Sequence, residues 1–283
     1  MTPVPARLKV GVVDFLNSRP LAWGFLNGEL DASCEAIYAA PSRVADLLAA
    51  GDIDVGLVPS IELMRIPGLE ILGDTCVAAT HEVRSVLLLS RVPLAEIETI
   101  AADSSSRTSQ TLVQILLADL HGVEAALTQW APEPRGVPDG FDAALIIGDP
   151  ALRVDRESYE VIDLAEAWRD LTGLPFVFAV WAARAEARRA GLAADLRASL
   201  ESGLASIDEI VATEARRQSL DPGELRVYLT RTLSFALGRD ELRGLREFFR
   251  RAELRGLTDL PVPPESTWRA LEDAAENPAL CAT

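Results

Sequence analysis

Short apolar runs alternate with helical patterns along the first two-thirds of the chain. The runs at 8–13, 55–58, 97–102 and 143–147 have the length and composition of buried strands. A helical pattern or a helix-starting residue follows each of them. This alternation predicts an α/β fold, in which a parallel or mixed sheet is covered by helices.

The last third of the chain changes character. Segments 186–218, 222–233 and 239–252 are rich in Ala, Leu, Arg and Glu, and they predict a helical C-terminal third. A Pro-rich stretch at 261–264 leads into a final short helix at 267–276.

Two lobes are expected because 283 residues exceed one domain of roughly 100–150 residues. No flexible linker separates them, so ordered strands at 83–91 and 176–184 are the predicted connections. The first lobe then contains residues 1–90 plus 180–283, and the second, inserted lobe contains 91–179. A ligand is expected in the crevice between the lobes, at the carboxyl ends of the strands.

Composition excludes several classes of partner. The formal net charge of −16 argues against nucleic acid, because a phosphate-binding face needs a basic excess. No segment approaches the roughly 18–20 apolar residues of a membrane span, and residues 1–7 carry no signal-peptide pattern. We therefore expect a cytoplasmic protein with no nucleic-acid or membrane partner; its oligomeric state is left open.

Cofactor motifs are missing as well. The cysteines Cys34, Cys76 and Cys281 have neither CxxC nor metal-ligand spacing, which predicts free thiols in a reducing compartment. The sequence contains no HExxH, GxGxxG or P-loop pattern. No metal and no cofactor are expected.

One short segment predicts an anion site. Ser105, Ser106, Arg107, Thr108 and Ser109 lie between the strand-like run and the helical pattern that follows it. The first N–H groups of a helix lack internal partners and carry partial positive charge. Hydroxyls and a guanidinium added there favour a small anion, most naturally a carboxylate.

A second polar segment follows the first strand. Asn17, Ser18 and Arg19 precede Pro20, which suits the first turn of a helix. Capping alone explains Asn17 or Ser18. The alternative is that all three face the cleft, where Asn offers a donor and an acceptor and Arg binds a carboxylate.

Other strand ends supply further candidates for substrate binding. Ser60 follows the strand-like run that ends near 58, and Arg84 and Ser85 begin the proposed connecting strand. Asp149 follows the run at 143–147, where it could bond a ligand hydroxyl or orient Arg107. Helix capping and an exposed ion pair are the alternatives for Ser60 and Arg84.

The two histidines have different settings. His121 ends a helical pattern before Gly122, a usual C-terminal arrangement. His81 lies just before the connecting strand and is the one histidine candidate for a general base.

The ordered set of motifs resembles the menaquinone-biosynthesis family of the futalosine pathway, specifically its chorismate dehydratases. The matching segments span about 170 residues and lie at 11–21, 51–60, 83–86, 103–109, 147–152 and 168–179. The resemblance implies a two-lobed, periplasmic-binding-protein-like (type 2) fold with a cleft between the lobes. It also implies a cofactor-free lyase that removes water from chorismate to give 3-[(1-carboxyvinyl)oxy]benzoate.

The resemblance also implies the site residues. The family's cleft residues correspond here to Asn17, Ser18, Ser60, Ser85, Ser106, Arg107, Thr108 and Asp149. Family members often have glycine where His81 stands, so His81 is not expected to be a shared base. We expect Asn17 to position the reacting centre or its leaving hydroxyl, and Arg107 with the serine cluster to hold a carboxylate. The substrate's own enolpyruvyl carboxylate is then a candidate proton acceptor.

Two other functions stay open at this point. The sister activity of the same pathway makes 1,4-dihydroxy-6-naphthoate and is expected to use a histidine base, for which His81 is the candidate. A non-enzymatic receptor or sensor for a small carboxylate would use the same fold.

Overall fold

The computed structural model describes residues 7–131, 136–187, 189 and 191–276. Cys281 lies outside the described residues, and Cys34 and Cys76 are free, buried thiols. Within the described part of the chain, no helix has both the length and the apolar character that a membrane span requires.

The strands form two mixed sheets. The strands are β1 (Leu8–Val13), β2 (Cys34–Ala39), β3 (Val55–Pro59), β4 (Leu69–Ala79), β5 (Val86–Ser90), β6 (Thr99–Asp103), β7 (Ala126–Trp130), β8 (Ala143–Ile147), β9 (Glu160–Asp163), β10 (Phe176–Arg184) and β11 (Ser234–Ala236). The six-stranded sheet has the order β11-β4-β10-β3-β1-β2, and the five-stranded sheet has the order β7-β6-β8-β5-β9. β1 pairs in parallel with β2 and β3, and β6 pairs in parallel with β7 and β8. The predicted α/β class is confirmed.

Helices cover the sheets and form most of the C-terminal third. They are α1 (Trp23–Leu26), α2 (Pro41–Ala50), α3 (Arg107–His121), α4 (Leu164–Thr172), α5 (Leu192–Ala205), α6 (Ile207–Gln218), α7 (Pro222–Val227), α8 (Arg239–Leu254) and α9 (Glu265–Glu276). Local sequence explains several ends: α2 begins at a proline and stops at Gly51 in the left-handed conformation, and the Asp163 side chain caps α4.

The chain connections between the two sheets differ from the prediction. β5 pairs only with β8 and β9, and β10 pairs only with β3 and β4. The prediction was that strands at 83–91 and 176–184 connect the lobes. Neither strand runs from one sheet to the other. The chain leaves the first sheet after Ala79 and returns to it at Phe176. The lobe boundaries at 90/91 and 179/180 remain a prediction.

Aromatic packing joins α8 of the C-terminal third to α4 and to β10. Trp168 of α4 contacts Phe176 of β10 edge-on, with ring centroids 5.4 Å apart, and Phe248 of α8 lies 5.0 Å from Phe176. All three side chains are buried. Such edge-to-face pairs add to the stabilisation that burial gives, so α8 is part of the core.

Helix α5 holds the segment that follows β1. The Ser199 hydroxyl accepts a hydrogen bond from the Gly24 amide and donates one to the Leu21 carbonyl, both at 2.8 Å. Gly203 lies against the backbone of Pro20, and a Cβ there would stand 2.2 Å from the Pro20 carbonyl oxygen. Only glycine permits this approach.

We therefore expect Gly203→Ala to destabilise the fold. Overpacking of this kind costs about 1–3 kcal/mol, although alanine is the better helix former by about 1 kcal/mol. Urea unfolding measures the difference. Gly223→Ala in α7 is the matched control, because that glycine is exposed and only the Asp221 side chain lies nearby, at 3.1 Å. Equal stability of the two variants would contradict the close packing of α5.

Candidate active site

A cleft lies between the two sheets at the carboxyl ends of β1, β3, β6 and β8. Its cavity has a volume of about 50 Å³, well below the roughly 300–1,000 Å³ usual for small-ligand sites, so the cleft is narrow in this structure. Most of its wall is apolar and is formed by Val13, Phe15, Pro41, Leu57, Pro59, Val77, Val83, Val86, Ile147, Gly148, Phe178 and Ala179. Its polar side chains belong to Asn17, Ser105, Ser106, Arg107, Thr108 and Ser109.

The N-terminus of α3 forms the main polar wall. Ser106 is the N-cap residue but makes no side-chain cap, and the helix begins at Arg107. The Ser106 and Ser109 hydroxyls have no hydrogen-bond partner within the described residues, and both residues line the cleft. Free hydroxyls and first-turn N–H groups thus point their donors into one space, which suits an anion.

Asp103 holds the loop that leads into α3. Its Oδ1 accepts hydrogen bonds from the Ser105 amide at 2.9 Å and the Ser105 hydroxyl at 2.6 Å. Its Oδ2 accepts from the Ile147 amide at 3.4 Å. Burial raises the pKa of Asp103, and these hydrogen bonds act in the opposite direction. Ser105 therefore shapes the loop through its bond to Asp103, although it also lines the cleft.

Arg107 and Thr108 link α3 to the first sheet. The Arg107 guanidinium lies 2.5 Å from an Asp46 carboxylate oxygen and 3.5 Å from one of Glu62. The Thr108 hydroxyl accepts from the Ile61 amide at 3.3 Å. Arg107 borders the cleft, but in this structure two carboxylates balance its charge.

Glu62 is the less expected partner in this cluster. It is 1% exposed, and its Oε1 has no hydrogen bond. Burial raises the pKa of Glu62, while the Arg107 and Arg65 guanidinium groups oppose that shift. Since the raised pKa means that folding disfavours the ionised form, Glu62 costs stability as pH rises through its folded-state pKa.

This sign gives a prediction for Glu62→Gln. At acid pH, where Glu62 is protonated, the variant should be about as stable as the wild type. As pH rises from 4 toward 7, the stability difference should move in favour of the glutamine variant. Urea unfolding at both pH values measures this, with exposed Glu186→Gln as the control. A difference that moves the other way would show that the arginines outweigh desolvation.

Asn17 comes earlier in the chain than these groups and lies just after β1. The 3₁₀ turn Leu16–Ser18 carries it, and it is half-buried at the edge of the cleft. Its carboxamide oxygen is 3.5 Å from the Ser18 hydroxyl. Within the described residues its side-chain amide nitrogen has no hydrogen-bond partner, so this group can donate a hydrogen bond to a ligand.

Ser18 and Arg19 stand outside the cleft lining. The buried Ser18 hydroxyl donates to the Val13 carbonyl at 2.7 Å and the Phe15 carbonyl at 2.9 Å, which tightens the turn. Arg19 is buried and pairs with Asp14 at 2.7 Å and Glu214 at 2.9 Å. Both side chains thus support the turn that carries Asn17.

The remaining predicted substrate contacts also lie outside the lining. The Ser60 hydroxyl donates to the Val177 carbonyl at 2.8 Å, and the Ser85 hydroxyl is 2.8 Å from the Tyr228 hydroxyl. Arg84 has a left-handed backbone (φ 63°) and pairs loosely with Glu224 at 3.8 Å. Asp149 accepts hydrogen bonds from the Leu16 amide and the Gln218 side chain. Their substrate-binding roles remain predictions.

The histidines are remote from this chemistry. His81 is exposed and lies against the Arg169 guanidinium, outside the cleft lining. His121 ends α3 before Gly122, as predicted. Searching the described residues finds no His, Cys, Asp and Glu cluster of three or more that could bind a metal ion.

Sequence reasoning missed the apolar part of the wall. Phe15 lies two residues after the end of β1, and Ile147 and Gly148 lie at the end of β8. The strand-end rule that selected Asn17 and Asp149 could have found them. Phe178, in the middle of β10, gave no such signal, because its exposure to the cleft depends on how the two sheets pack.

Comparisons with known proteins agree with this architecture. The family model described as menaquinone biosynthesis matches residues 8–254. The chain is 30% identical over 247 residues to the chorismate dehydratase of Thermus thermophilus, covering 80% of this chain and 88% of that protein. It is 26% identical over 244 residues to the chorismate dehydratase of Campylobacter jejuni, covering 84% of this chain and 94% of that protein.

Solved structures resemble the fold at much lower identity. A protein of Archaeoglobus fulgidus matches with a TM-score of 0.73 and 15% identity, over 89% of this chain and 98% of that one. The periplasmic aliphatic sulphonate binding protein of Escherichia coli matches with a TM-score of 0.62 and 15% identity, over 91% and 90% of the two chains. These matches confirm the predicted periplasmic-binding-protein-like fold, and the family match over most of its length shows that the chain belongs to the menaquinone biosynthesis family.

Proposed function

We propose that this chain is a hydro-lyase that converts chorismate to 3-[(1-carboxyvinyl)oxy]benzoate and water. The observation that carries the proposal is the cleft itself, in which an uncapped helix N-terminus and the free Asn17 amide share an otherwise apolar space. The relatives named chorismate dehydratase align over at least 80% of the chain, and the family model matches residues 8–254, which include the elements that build this cleft.

Chorismate suits the two kinds of wall. One of its carboxylates would bind at the N-terminus of α3, where the Ser106 and Ser109 hydroxyls and the first-turn N–H groups are unpaired. Its ring would pack against apolar side chains such as Phe15 and Phe178. Beside such an apolar wall the effective dielectric constant is lower than in water, so hydrogen bonds to the substrate would be stronger there than in solution.

The reaction needs orientation and proton transfer. The ring carbon that bears the enolpyruvyl ether loses a proton, and the electrons of that C–H bond form a ring double bond. The neighbouring carbon loses its hydroxyl group with the electrons of the C–O bond, and this hydroxide takes up one proton, in balance with the proton lost from the ring, and is released as water. The ring becomes aromatic, so the step is strongly downhill, and the protein has mainly to hold the substrate in a reactive geometry.

Asn17 is the residue to which we assign a direct role. Its free amide would donate a hydrogen bond to the departing hydroxyl, where negative charge develops. The cleft lining contains no His, Asp or Glu side chain among the described residues. The enolpyruvyl carboxylate of the substrate therefore serves in this proposal as the acceptor of the ring proton.

Arg107 is a further group that can hold a substrate carboxylate at the start of α3. Asp46 and Glu62 already pair with its guanidinium, and these contacts connect α3 to α2 and to the turn that follows β3. Because a guanidinium carries five N–H donors and Arg107 lines the cleft, it can keep both partners and still donate to a substrate carboxylate.

The first test is a direct assay. The purified protein is incubated with chorismate without added metal or cofactor, and products are separated and detected by mass. A product lighter by one water, with an aromatic ultraviolet spectrum, is expected. Boiled protein controls for spontaneous breakdown of chorismate.

The same assay separates the competing functions. Binding of chorismate without turnover would favour a receptor or sensor, a use known for the fold from the sulphonate binding protein. If the protein neither binds nor converts chorismate, the proposal is contradicted and the sister reaction is the next to test. The candidate base for that reaction, His81, lies outside the cleft. The cytoplasmic location stays a prediction.

A further inference from the structure

Asp149 connects the end of β8 to the turn that carries Asn17. Its Oδ1 accepts a hydrogen bond from the Leu16 amide at 2.9 Å, and its Oδ2 accepts one from the Gln218 side-chain amide at 2.7 Å. Asp149 follows a strand of the five-stranded sheet, whereas Leu16 follows β1 of the six-stranded sheet. One carboxylate therefore spans the two halves of the cleft.

The Leu16–Ser18 turn needs such an acceptor. The first N–H groups of a helical turn have no internal partner, and a side chain at the N-cap position usually satisfies one of them. The N-cap residue here is Phe15, which makes no side-chain cap. Asp149 supplies the missing acceptor from the other side of the cleft.

Close packing brings the β8 turn to this point. Gly148 has φ 66°, and a Cβ on it would stand 3.0 Å from the Phe15 ring. A larger residue would hold the turn away from Phe15, and Asp149 would no longer reach the Leu16 amide.

Gln218 explains why a carboxylate is required. Its carboxamide oxygen accepts a hydrogen bond from Arg153 at 2.6 Å, while its amide nitrogen donates to Asp149. Arg153 thereby sets the orientation of the carboxamide, because turning it over would place two donors together. Two donors, from Leu16 and Gln218, thus converge on position 149, and only a carboxylate accepts both.

We propose that Asp149 is a positioning residue for the dehydration, which acts by holding the turn that carries Asn17. This inference rests on the proposed function, in which Asn17 contacts the reacting atoms. Asp149 itself lies outside the cleft lining, so its effect reaches the substrate through Asn17 and not by direct contact.

The test begins with Asp149→Asn. The substitution keeps the size of the side chain but places an amide donor opposite either Leu16 or Gln218. Since a displacement of about 1 Å can cost about 10²-fold in rate, we expect kcat to fall by roughly 10–10²-fold with KM nearly unchanged. Asp155→Asn, on an exposed loop of the same region, is the matched control and should leave both constants unchanged.

Two further variants separate positioning from a general structural role. In an Asn17→Ala background, Asp149→Asn should cause little further loss, because the residue it positions is already gone. The double variant Asp149→Asn with Gln218→Glu restores one donor and one acceptor at the contact, so it should recover much of the lost kcat.

Each outcome decides a different point. An equal loss of kcat with and without Asn17 would overturn the positioning role, as would a rise in KM alone, which would indicate substrate contact. A lower melting temperature with unchanged kcat would assign Asp149 to stability only. A wild-type protein that does not dehydrate chorismate would instead reject the proposed function, and this inference with it.

Discussion

Asn17→Ala is expected to lower kcat for chorismate dehydration by about 10²–10³-fold, the usual cost of removing one donor to a developing negative charge. KM should change little, because the carboxylate contacts at α3 remain. The reason lies in the structure: the side-chain amide of Asn17 lies beside the apolar wall and has no partner within the described residues. Steady-state kinetics with mass detection of the product measures both constants.

Asn17→Asp sharpens the test. The carboxylate has nearly the size of the carboxamide but offers acceptors only when ionised, so turnover should fall here too. Asn27→Ala is the matched control, since Asn27 is exposed at the end of α1. If both Asn17 variants turned over chorismate at the wild-type rate, Asn17 would have no part in the mechanism.

Ser109→Asp is expected to raise KM by about 10²-fold or more while the fold stays intact. Ser109 is the third residue of α3 and lines the cleft. The helix N-terminus favours a carboxylate, and because Ser109 is buried, urea unfolding must show that the variant is as stable as the wild type before its KM is compared. The same charge repels a substrate carboxylate at about 4 Å with roughly 4 kcal/mol at an effective dielectric constant of 20.

Size must be separated from charge in this experiment. Ser109→Asn adds the same number of heavy atoms without the charge, and its KM should rise much less than that of the aspartate variant. Ser104→Asp places the charge on an exposed residue outside the cleft and should leave KM unchanged. Equal KM values for Ser109→Asn and Ser109→Asp would mean that no anion binds at this end of α3.

Local elements were predictable where neighbouring residues decide them. β1 and α2 have the predicted bounds, because a short apolar run, an initial proline and a terminal glycine are all local signals. The helical pattern at 186–218 was instead read as continuous, yet it divides at Ser206 into α5 and α6. The strand β11 was missed, since its three residues are ordered by pairing with the distant β4.

The candidate site, too, was predictable only where local sequence decides it. The serine cluster at the start of α3 and Asn17 after β1 were selected from sequence, and the structure brings them to one cleft. Arg19 was selected by the same rule but faces Glu214 of α6, nearly two hundred residues away in the chain. Spacing along the sequence carries no information on such a distant partner.

The sequence by itself determined the α/β class, the family and the strand ends at which the polar residues collect. Those features depend on hydrophobic periodicity, on helix-starting residues and on ordered motifs, all of which are local. Only the tertiary structure decided which polar groups remain free for a ligand. Arg107, Ser85 and Asp149 are each engaged by residues from distant segments, whereas the Asn17 amide nitrogen and the Ser109 hydroxyl have no partner among the residues that the structure describes. Whether a polar side chain binds substrate or supports the fold depends on these long-range contacts, because a donor already satisfied in the protein gains little by binding a ligand.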